Sequence, residues 1–369
     1  MRKGWEYKSF ETCINKLPKA KQVKTSEYSS GTKYPIISQE DKLISGYYDD
    51  DSYVFHIDSP VVIFGDHTRV LKYVDFDFVV GADGVKIISP QKELNAKFLL
   101  YYLQWYKIPN LGYSRHYKLL KEINIPLPPK STQLAIVSEL DKINELIRLK
   151  KEQLKDFDNL AQSLFYEMFG DPVENEKGWE VKKLGEIGEF KNGLNFSKDE
   201  NGHSIKFLGV SDFQNKKSIT SDQLDYISLS ECVQEDYLLK TGDIVFVRSN
   251  GKKELIGRSV KMYISEPTTY SGFCIRCRIT DEKVDKDYIA ILLKTPIIRQ
   301  LMTNSGRGCN ISNLNQKVLN SIPIILPPLS LQRLFAQRIE QIEREKSEVQ
   351  KSIQDLETLL ASRMQYWFE

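Results

Sequence analysis

The stretch Leu-Pro-Pro-Lys-Ser-Thr-Gln at residues 127–133 recurs as Leu-Pro-Pro-Leu-Ser-Leu-Gln at residues 326–332, an offset of 199 positions. A second pair of matching segments, Gly-Trp-Glu at residues 4–6 and 178–180, has an offset of 174. The region between the two markers therefore differs in length by 25 residues between the copies. Such self-similarity indicates a repeated architecture. We predict a variable segment followed by a fixed segment, twice over.

The fixed segments are predicted to be long helices. Ser131 and Ser330 are suitable N-caps. The first copy has no further proline or glycine until Gly170, and the second copy has none at all. Apolar residues recur at heptad spacing, as in a coiled coil. The predicted seam between the helices includes Leu140, Ile143, Ile147, Leu154, Phe157, Ile339, Ile342, Val349, Ile353 and Leu356.

The two helices are expected to pair with each other. Equivalent units that bury the same stripe are most simply related by a two-fold axis, which makes the helices antiparallel. Each helix of about 38 residues would be roughly 57 Å long. A single lysine in each seam, Lys150 or Lys346, would fix the register at some cost in stability. The alternative, an ordinary helical hairpin inside a core, does not explain the repeat.

The variable segments combine β-rich runs with helical stretches, which predicts an α/β (α+β) fold class. The predicted architecture is two globular domains joined by two long antiparallel helices that form a coiled-coil spacer with pseudo-two-fold symmetry. The predicted boundaries are 1–128 for the first globular domain, 129–170 for the first helix, 171–327 for the second globular domain and 328–369 for the second helix.

Composition restricts the class of protein. The chain has 369 residues, 41% of them apolar, which suffices for two or three domains. Its formal net charge is only +2, so a polyanionic partner would have to be recognised by local basic patches. The five cysteines fit reduced thiols better than a disulfide framework. Neither a signal peptide nor a membrane span is indicated, and we expect a cytoplasmic protein.

Two polar loops that follow β-rich runs are candidate binding sites. The runs are residues 59–64 and 242–247, and further polar segments precede the strand that leads into each long helix. Side chains in such loops can contact phosphate oxygens and base edges of DNA, although solvated hairpin tips have the same composition. The candidate DNA-contacting residues are His67, Thr68, Arg69, Arg115, His116, Lys118, Arg248, Asn250, Lys252, Lys253, Arg307 and Asn310.

The sequence lacks recognisable catalytic motifs. It contains no phosphate-binding glycine loop, no nucleophile elbow, no zinc-protease motif and no methyltransferase motif of Asn or Asp before Pro-Pro-aromatic. Asp171, Glu180 and Lys182 have the loose spacing of a nuclease site, but the first copy has no counterpart of the aspartate. We therefore predict no catalytic residue and no cofactor in this chain.

Cys274 and Cys277 have the spacing of half a structural zinc site. Alternation along a strand would place Phe273, Ile275 and Cys277 on one face, and Cys274 and Arg276 on the other. The two thiols would then point apart, and a structural zinc site needs four ligands. We predict no metal here.

The order of these features resembles the DNA specificity subunits of type I restriction-modification systems, over the whole chain. The resemblance rests on the alternation of variable and fixed regions and on Ile-Pro-Leu-Pro-Pro (125–129) and Ile-Ile-Leu-Pro-Pro (324–328) before glutamine-bearing helices. It also rests on Phe-Tyr-Glu-Met-Phe-Gly-Asp-Pro (165–172) leading to Gly-Trp-Glu at 178–180. It implies two target-recognition domains held apart by antiparallel helices, each reading one half of a bipartite sequence in double-stranded DNA.

The same resemblance implies the partners. Two copies of a separate methylase subunit would dock on the helical spacer and restriction subunits would join them, so this chain would be non-catalytic. A rod of roughly 57 Å spans about 17 base pairs, which suits half-sites one or more helical turns apart. The alternative is a coiled-coil scaffold whose globular ends bind proteins. Steep loss of affinity with salt would distinguish a DNA reader from that scaffold.

Overall fold

The computed structural model describes residues 4–31, 33–112, 114–195, 198–213, 216–249, 255–304 and 314–369, with only the backbone described at 198–201, 303 and 304. The chain divides into two compact units. The first contains residues 1–153 and 349–369, and the second contains residues 154–348. This division differs from the four consecutive domains predicted from the sequence, because each long helix contributes one half to each unit.

The first unit combines small sheets with short helices. Its strands are β1 (Glu6–Ser9), β2 (Tyr34–Ile37), β3 (Gly46–Tyr48), β4 (Val54–Phe55), β5 (Val61–Gly65), β6 (Leu71–Val74), β7 (Phe78–Val80), β8 (Val85–Ile88) and β9 (Asn124–Leu127). Its short helices are α1 (Ala96–Tyr106) and α2 (Tyr117–Leu120). The strand orders are β3-β2-β7-β4, β6-β5-β8 and β1-β9. Strand β5 is buried along its whole length because it lies between two neighbours.

The second unit contains larger sheets. Its strands are β10 (Glu180–Lys183), β11 (Gly188–Asn192), β12 (Lys198–Leu208), β13 (Ser218–Thr220), β14 (Tyr226–Leu229), β15 (Ile244–Val247), β16 (Ser259–Tyr263), β17 (Thr268–Tyr270), β18 (Cys274–Ile279) and β19 (Pro323–Leu326). Its short helices are α4 (Leu184–Ile187), α5 (Lys286–Leu292), α6 (Pro296–Asn304) and α7 (Gln316–Asn320). The strand orders are β11-β18-β15-β16-β13, β14-β12-β17 and β10-β19.

The two long helices are α3 (Lys130–Phe169) and α8 (Leu329–Phe368). Each begins and ends within a residue or so of its predicted bounds. Every residue of the predicted seam is buried or half-buried, whereas the residues on the opposite side of each helix are exposed. The charged outer faces are the reason that, among the described residues, no helix is apolar enough over a sufficient length to cross a bilayer.

Within each unit the halves of α3 and α8 pair in antiparallel fashion. In the first unit the carboxylate of Glu139 accepts hydrogen bonds from the guanidinium of Arg363, and Lys151 Nζ lies 2.8 Å from Glu357 Oε1. A later residue of α3 therefore meets an earlier residue of α8. The second unit has the same direction of pairing, since Asp158 forms an ion pair with Lys346 while residues further along α3 meet earlier residues of α8.

Each unit closes with the same two-stranded ribbon. Glu6 on β1 is opposite Leu127 on β9, and Glu180 on β10 is opposite Leu326 on β19. The glutamic acids belong to the repeated Gly-Trp-Glu and the leucines to the repeated Leu-Pro-Pro. The two sequence markers thus meet in space, because the ribbon brings the start of each variable segment to its end.

Candidate nucleic-acid interface

The first hairpin loop (residues 65–69) connects the buried strand β5 to β6. Gly65 N–H donates to Val70 C=O over 2.8 Å, and Arg69 N–H donates to Gly65 C=O over 2.7 Å. A Cβ at Gly65 would lie only 2.2 Å from Thr68 Oγ1, so the tight loop requires glycine. The loop is therefore a fixed structure that presents its side chains in one arrangement.

Asp66 anchors this loop to the segment before α2. Its side chain is 2% exposed, and its Oδ1 accepts the Tyr117 N–H over 2.8 Å. Its carbonyl oxygen accepts hydrogen bonds from both the N–H and the ring Nδ1 of His116, each over 2.9 Å. The first hairpin loop and residues 114–118 consequently form one surface, although about fifty residues separate them in the chain.

His116 requires a correction, because the sequence placed it among the DNA-contacting residues. Its side chain is fully buried, with Nδ1 donating to Asp66 and Nε2 accepting the Leu111 N–H over 3.1 Å. Both ring nitrogens are used within the protein, so neither can contact a base or a phosphate. His116 instead holds the surface together. Its positional counterpart, Asn315, has a different role, because its side chain caps α7 by accepting the Val318 N–H over 3.0 Å.

Three predicted residues of the first hairpin loop are hydrogen-bonded to other segments of the first unit. Thr68 Oγ1 donates to Gln39 C=O over 2.6 Å, and His67 N–H donates to Gln39 Oε1 over 3.3 Å. Arg69 has a φ of 62° and donates from Nη1 to Ile108 C=O over 3.1 Å. This bond holds the Arg69 guanidinium against the protein, which leaves it less free for a bidentate contact to a base.

Exposed cations flank this loop. Arg115 and Lys118 are exposed on the segment that His116 anchors. Arg115 Nη2 lies 3.6 Å from Asp83 Oδ2, with both side chains more than half exposed, so the pair is weak. Lys86 lies 3.7 Å from the Asp66 carboxylate. Of the predicted residues in the first unit, Arg115 and Lys118 are the exposed cations.

The second hairpin loop (residues 248–258, described at 248–249 and 255–258) follows the buried strand β15. Arg248 N–H donates to Phe273 C=O over 2.8 Å, and Leu314 N–H donates to Arg248 C=O over 2.8 Å. Leu314 precedes α7 as Arg115 precedes α2, so the same segment contacts the hairpin loop in both units. Among the described residues, no acceptor lies within hydrogen-bonding distance of the Arg248 guanidinium. The predicted residues Asn250, Lys252, Lys253, Arg307 and Asn310 lie outside the described residues.

Sequence reasoning missed Phe273. Alternation placed it on a strand face with Cys277, but β18 begins only at Cys274, and the Phe273 side chain is 61% exposed in the preceding turn. Its carbonyl oxygen accepts the backbone N–H of Arg248, so the two residues are neighbours on this surface. Aromatic and apolar side chains contact thymine methyl groups or wedge between bases. The sequence carries no signal for this exposure, because Phe273 fits the alternation of the following strand.

A second missed feature is a basic stretch near the start of the first unit. Lys16, Lys19, Lys21 and Lys24 are all exposed, and no acidic residue stands between them in the sequence. Lys21 Nζ lies 3.3 Å from Ser52 Oγ and 5.1 Å from the centre of a tyrosine ring. The density of lysines was visible in the sequence, and such stretches are typical of phosphate-contacting surfaces.

The buried side chain of Lys72 stabilises the turn that contacts the first hairpin loop. Lys72 is 6% exposed, and its Nζ donates to Ser38 C=O over 2.8 Å and to Lys42 C=O over 2.5 Å. Burial lowers the pKa of this amine below its usual value. The two carbonyl contacts fix the turn that carries Gln39, and Gln39 holds the first hairpin loop.

The residues with the spacing of a nuclease or zinc site make structural contacts. Asp171 Oδ1 accepts the Val173 N–H over 2.7 Å in a local turn, whereas Lys182 Nζ lies 3.0 Å from Asp281 Oδ2. Cys274 and Cys277 are both fully buried but pack into different clusters, on opposite faces of β18. Burial raises the pKa of Cys274 to about 12. Within the described residues no group of three His, Cys, Asp or Glu side chains is placed to hold a metal ion.

The chain consists of two α/β units that repeat one plan. Each unit has a polar hairpin loop and one half of each long helix, which defines an internally duplicated protein. The chain belongs to the family described as the Type I restriction modification DNA specificity domain, which matches residues 3–156 and 176–358. It is 25% identical over 259 residues to the StySPI specificity subunit of Salmonella potsdam. The matched region is 66% of this chain and 55% of that protein. It is 23% identical over 292 residues to the EcoKI specificity subunit of Escherichia coli K12. The matched region is 72% of this chain and 62% of that protein.

The chain thus spans between 55% and 62% of the length of these two curated relatives. Its fold is similar to that of the type I restriction-modification S subunit from M. genitalium, with a TM-score of 0.58. The similarity covers 98% of this chain and 95% of that chain at 17% sequence identity. At this identity the comparison establishes the fold.

Proposed function

We propose that this chain is the DNA-recognition subunit of a type I restriction-modification complex, in which each unit reads one half of a bipartite duplex target. The observation that carries the proposal is the repeated surface. In both units a hairpin loop after a buried central strand is held by the segment that precedes the last short helix. Family membership, matched once in each half of the chain, supports this interpretation.

The two surfaces differ in chemistry, which supports different half-sites. The first unit presents Arg115 and Lys118 around a loop whose own arginine, Arg69, is held by a backbone carbonyl. The second unit has Arg248, whose backbone N–H donates to Phe273 C=O, and the exposed ring of Phe273. A guanidinium can bind guanine through two hydrogen bonds, and an aromatic ring can contact a thymine methyl group. The second surface is therefore the better equipped for direct base contacts.

The subunit would act without catalysis of its own. It would position two methylase subunits and the restriction subunits, and neither a metal nor a cofactor would be bound by this chain. The complex would work in the cytoplasm, on double-stranded DNA. Partner subunits that add phosphate contacts would offset the low net charge of this chain.

Methylome sequencing tests this function. A host that expresses this chain with its methylase should acquire methylation at one bipartite motif. Replacing residues 11–117 by the matching segment of another such subunit should change one half of the motif and leave the other half unchanged. If the methylated motif is the same with either segment, or if DNA affinity does not depend on salt, the chain is not the DNA reader and a protein-binding scaffold explains it better.

A further inference from the structure

A pair of amide side chains lies at one edge of the five-stranded sheet in the second unit. Gln316, the first residue of α7, donates from Nε2 to Asn192 Oδ1 over 3.0 Å. Asn192 is the last residue of β11, and both residues are half-buried. The hydrogen bond therefore joins a short helix to the end of a strand, and both amides remain partly accessible to a ligand.

The order of the strands places this pair at the edge that carries the second hairpin loop. Strands β11 and β15 lie on the two sides of β18 and are both antiparallel to it, so they end at the same edge of the sheet. Asn192 is opposite the second residue of β18, and Val247 is opposite the first. Asn192 and Arg248, which follows Val247, therefore flank the start of β18.

The segment that leads into α7 crosses this edge of the sheet. Leu314 N–H donates to Arg248 C=O over 2.8 Å, just after β15. Asn315 is the N-cap residue of α7, and Gln316 then reaches Asn192 at the end of β11. The backbone around Gln316 is thus fixed at two places, and its amide lies on the same edge as the candidate base-reading arginine.

The hydrogen bond to Asn192 leaves part of the Gln316 amide available to a ligand. A glutamine side chain has two N–H donors and one carbonyl acceptor. Asn192 uses one N–H, and the Gln316 amide has no other hydrogen-bond partner among the described residues. One N–H and Oε1 therefore remain available, on an amide whose orientation the bond to Asn192 fixes.

We propose that Gln316 reads an adenine in the half-site of the second unit, and that Asn192 is the residue that positions the Gln316 amide. In the major groove, adenine presents the N7 acceptor and an N6–H donor, which match the N–H and the carbonyl of a glutamine. Guanine presents two acceptors there, so its O6 would face Oε1 without a hydrogen atom between them. The inference deepens the function proposed above and rests on it.

The first unit has different chemistry at the equivalent position. Tyr117 precedes Gln316 by 199 positions, and it likewise begins a short helix, α2. Its ring packs against Phe10 and Phe64, at centroid distances of 6.1 and 6.3 Å. The shared fold therefore does not require an amide at this place. A difference here is expected if the two units read different half-sites.

The first experiment uses the wild-type chain bound to its methylase, with duplexes that contain its methylated motif. The half of the motif that stays unchanged when residues 11–117 are exchanged belongs to the second unit. Each adenine of that half is replaced in turn by 7-deazaadenine, which still pairs with thymine but lacks the N7 acceptor. At one position the affinity should fall about three- to tenfold, because one hydrogen bond to the base is lost.

Variants of Gln316 identify the residue that makes this contact. Gln316→Ala should bind the unmodified duplex about tenfold more weakly and should no longer distinguish it from the 7-deazaadenine duplex. Gln316→Glu should change the preferred base at that position from adenine to cytosine, because a carboxylate accepts a hydrogen bond from cytosine N4. Methylome sequencing detects this change. Gln337→Ala, at an exposed position of α8 in the same unit, is the control.

Variants of Asn192 test its positioning role. Asn192→Ala removes the acceptor that orients the Gln316 amide, and it should reduce the discrimination against 7-deazaadenine. Asn192→Asp keeps an oxygen acceptor and should restore that discrimination. If Asn192→Ala lowers the melting temperature but leaves the base preference unchanged, the bond between the two amides is structural only and the positioning role is wrong.

The inference and the proposed function can fail separately. If the wild-type complex binds its motif but no adenine of the second half-site responds to 7-deazaadenine, Gln316 does not read adenine. The same conclusion follows if Gln316→Ala responds as strongly as the wild type. Both results leave the proposed function intact, because the complex still binds its target. A complex that binds no duplex contradicts the proposed function, and this inference with it.

Discussion

Gln133 and Gln332, 199 positions apart, make the same set of hydrogen bonds in their respective units. Gln133 Oε1 accepts the N–H of Asn95 over 2.8 Å, and Gln332 Oε1 accepts the N–H of Asp285 over 2.9 Å. In both cases the partner is the N-cap residue of a short helix. The Nε2 of each glutamine also donates to the C=O of the first proline in the repeated Leu-Pro-Pro. The distance is 2.9 Å from Gln133 to Pro128 and 2.7 Å from Gln332 to Pro327. The glutamine of the repeated motif therefore joins the long helix to the globular part of each unit.

Replacing this glutamine should destabilise the protein. Gln332→Ala would leave a buried N–H and a buried C=O without partners, since Gln332 is 1% exposed. We expect the free energy of unfolding to fall by about 2–4 kcal/mol. Urea denaturation measures this free energy of unfolding, and Gln337→Ala, at an exposed position of the same helix, is the control. Equal stability of the two variants would show that the buried bonds contribute nothing net.

A charge in the seam should be more disruptive than the same charge outside it. Ile353→Asp places a carboxylate at a position that is 4% exposed, and should cost at least about 3 kcal/mol of unfolding free energy. The neighbouring Gln354→Asp lies on the exposed face and should cost less than about 0.5 kcal/mol. Thermal melting compares them. A similar melting temperature for both would mean that the seam is misassigned.

The ion pair between Glu139 and Arg363 should make stability depend on pH. Hydrogen bonds from Arg363 and from Trp367 Nε1 lower the pKa of Glu139 below its ordinary 4.5. A carboxyl with a lowered pKa in the folded state stabilises the fold above its unfolded pKa, and that contribution is lost as the pH falls through the folded value.

We therefore expect Glu139→Gln to be less stable than the wild type by a constant amount above about pH 5, and by a shrinking amount on further acidification. Urea titrations at a series of pH values give both curves. Glu145→Gln, whose carboxylate pairs only along its own helix with Arg148, is the control for an exposed pair. Parallel curves down to pH 3 would argue against the pairing across the helices.

Arg248 and Arg115 should differ in what their loss does to DNA recognition. Arg248→Ala should relax one position of the methylated motif, with a loss of roughly 1–3 kcal/mol of discrimination there. Arg115→Ala should weaken binding about equally for all sequences and reduce the salt slope by about one. Competition binding with single-base variants of the target separates the two. If neither variant changes affinity or motif, both loops are solvated hairpin tips.

The sequence by itself determined the repeat, the extent of α3 and α8, and the face of each helix that is buried. These features are local, because heptad spacing and the absence of proline and glycine fix a long amphipathic helix whatever surrounds it. The sequence also showed that a glutamine, Gln133 or Gln332, occupies the same place in both copies of the repeated motif. It could not say what that glutamine does, since the helix N-cap residue that it binds lies 38 residues before Gln133 and 47 residues before Gln332.

Only the tertiary structure decided the composition of the site. His116 is a polar residue in a polar segment, and it is buried because the carbonyl of Asp66 is brought to it from fifty positions away. Phe273 follows the alternation of a strand, and it is exposed because the chain turns before β18 begins. Pairing across such distances depends on which strands become neighbours, and no local pattern of residues encodes that choice.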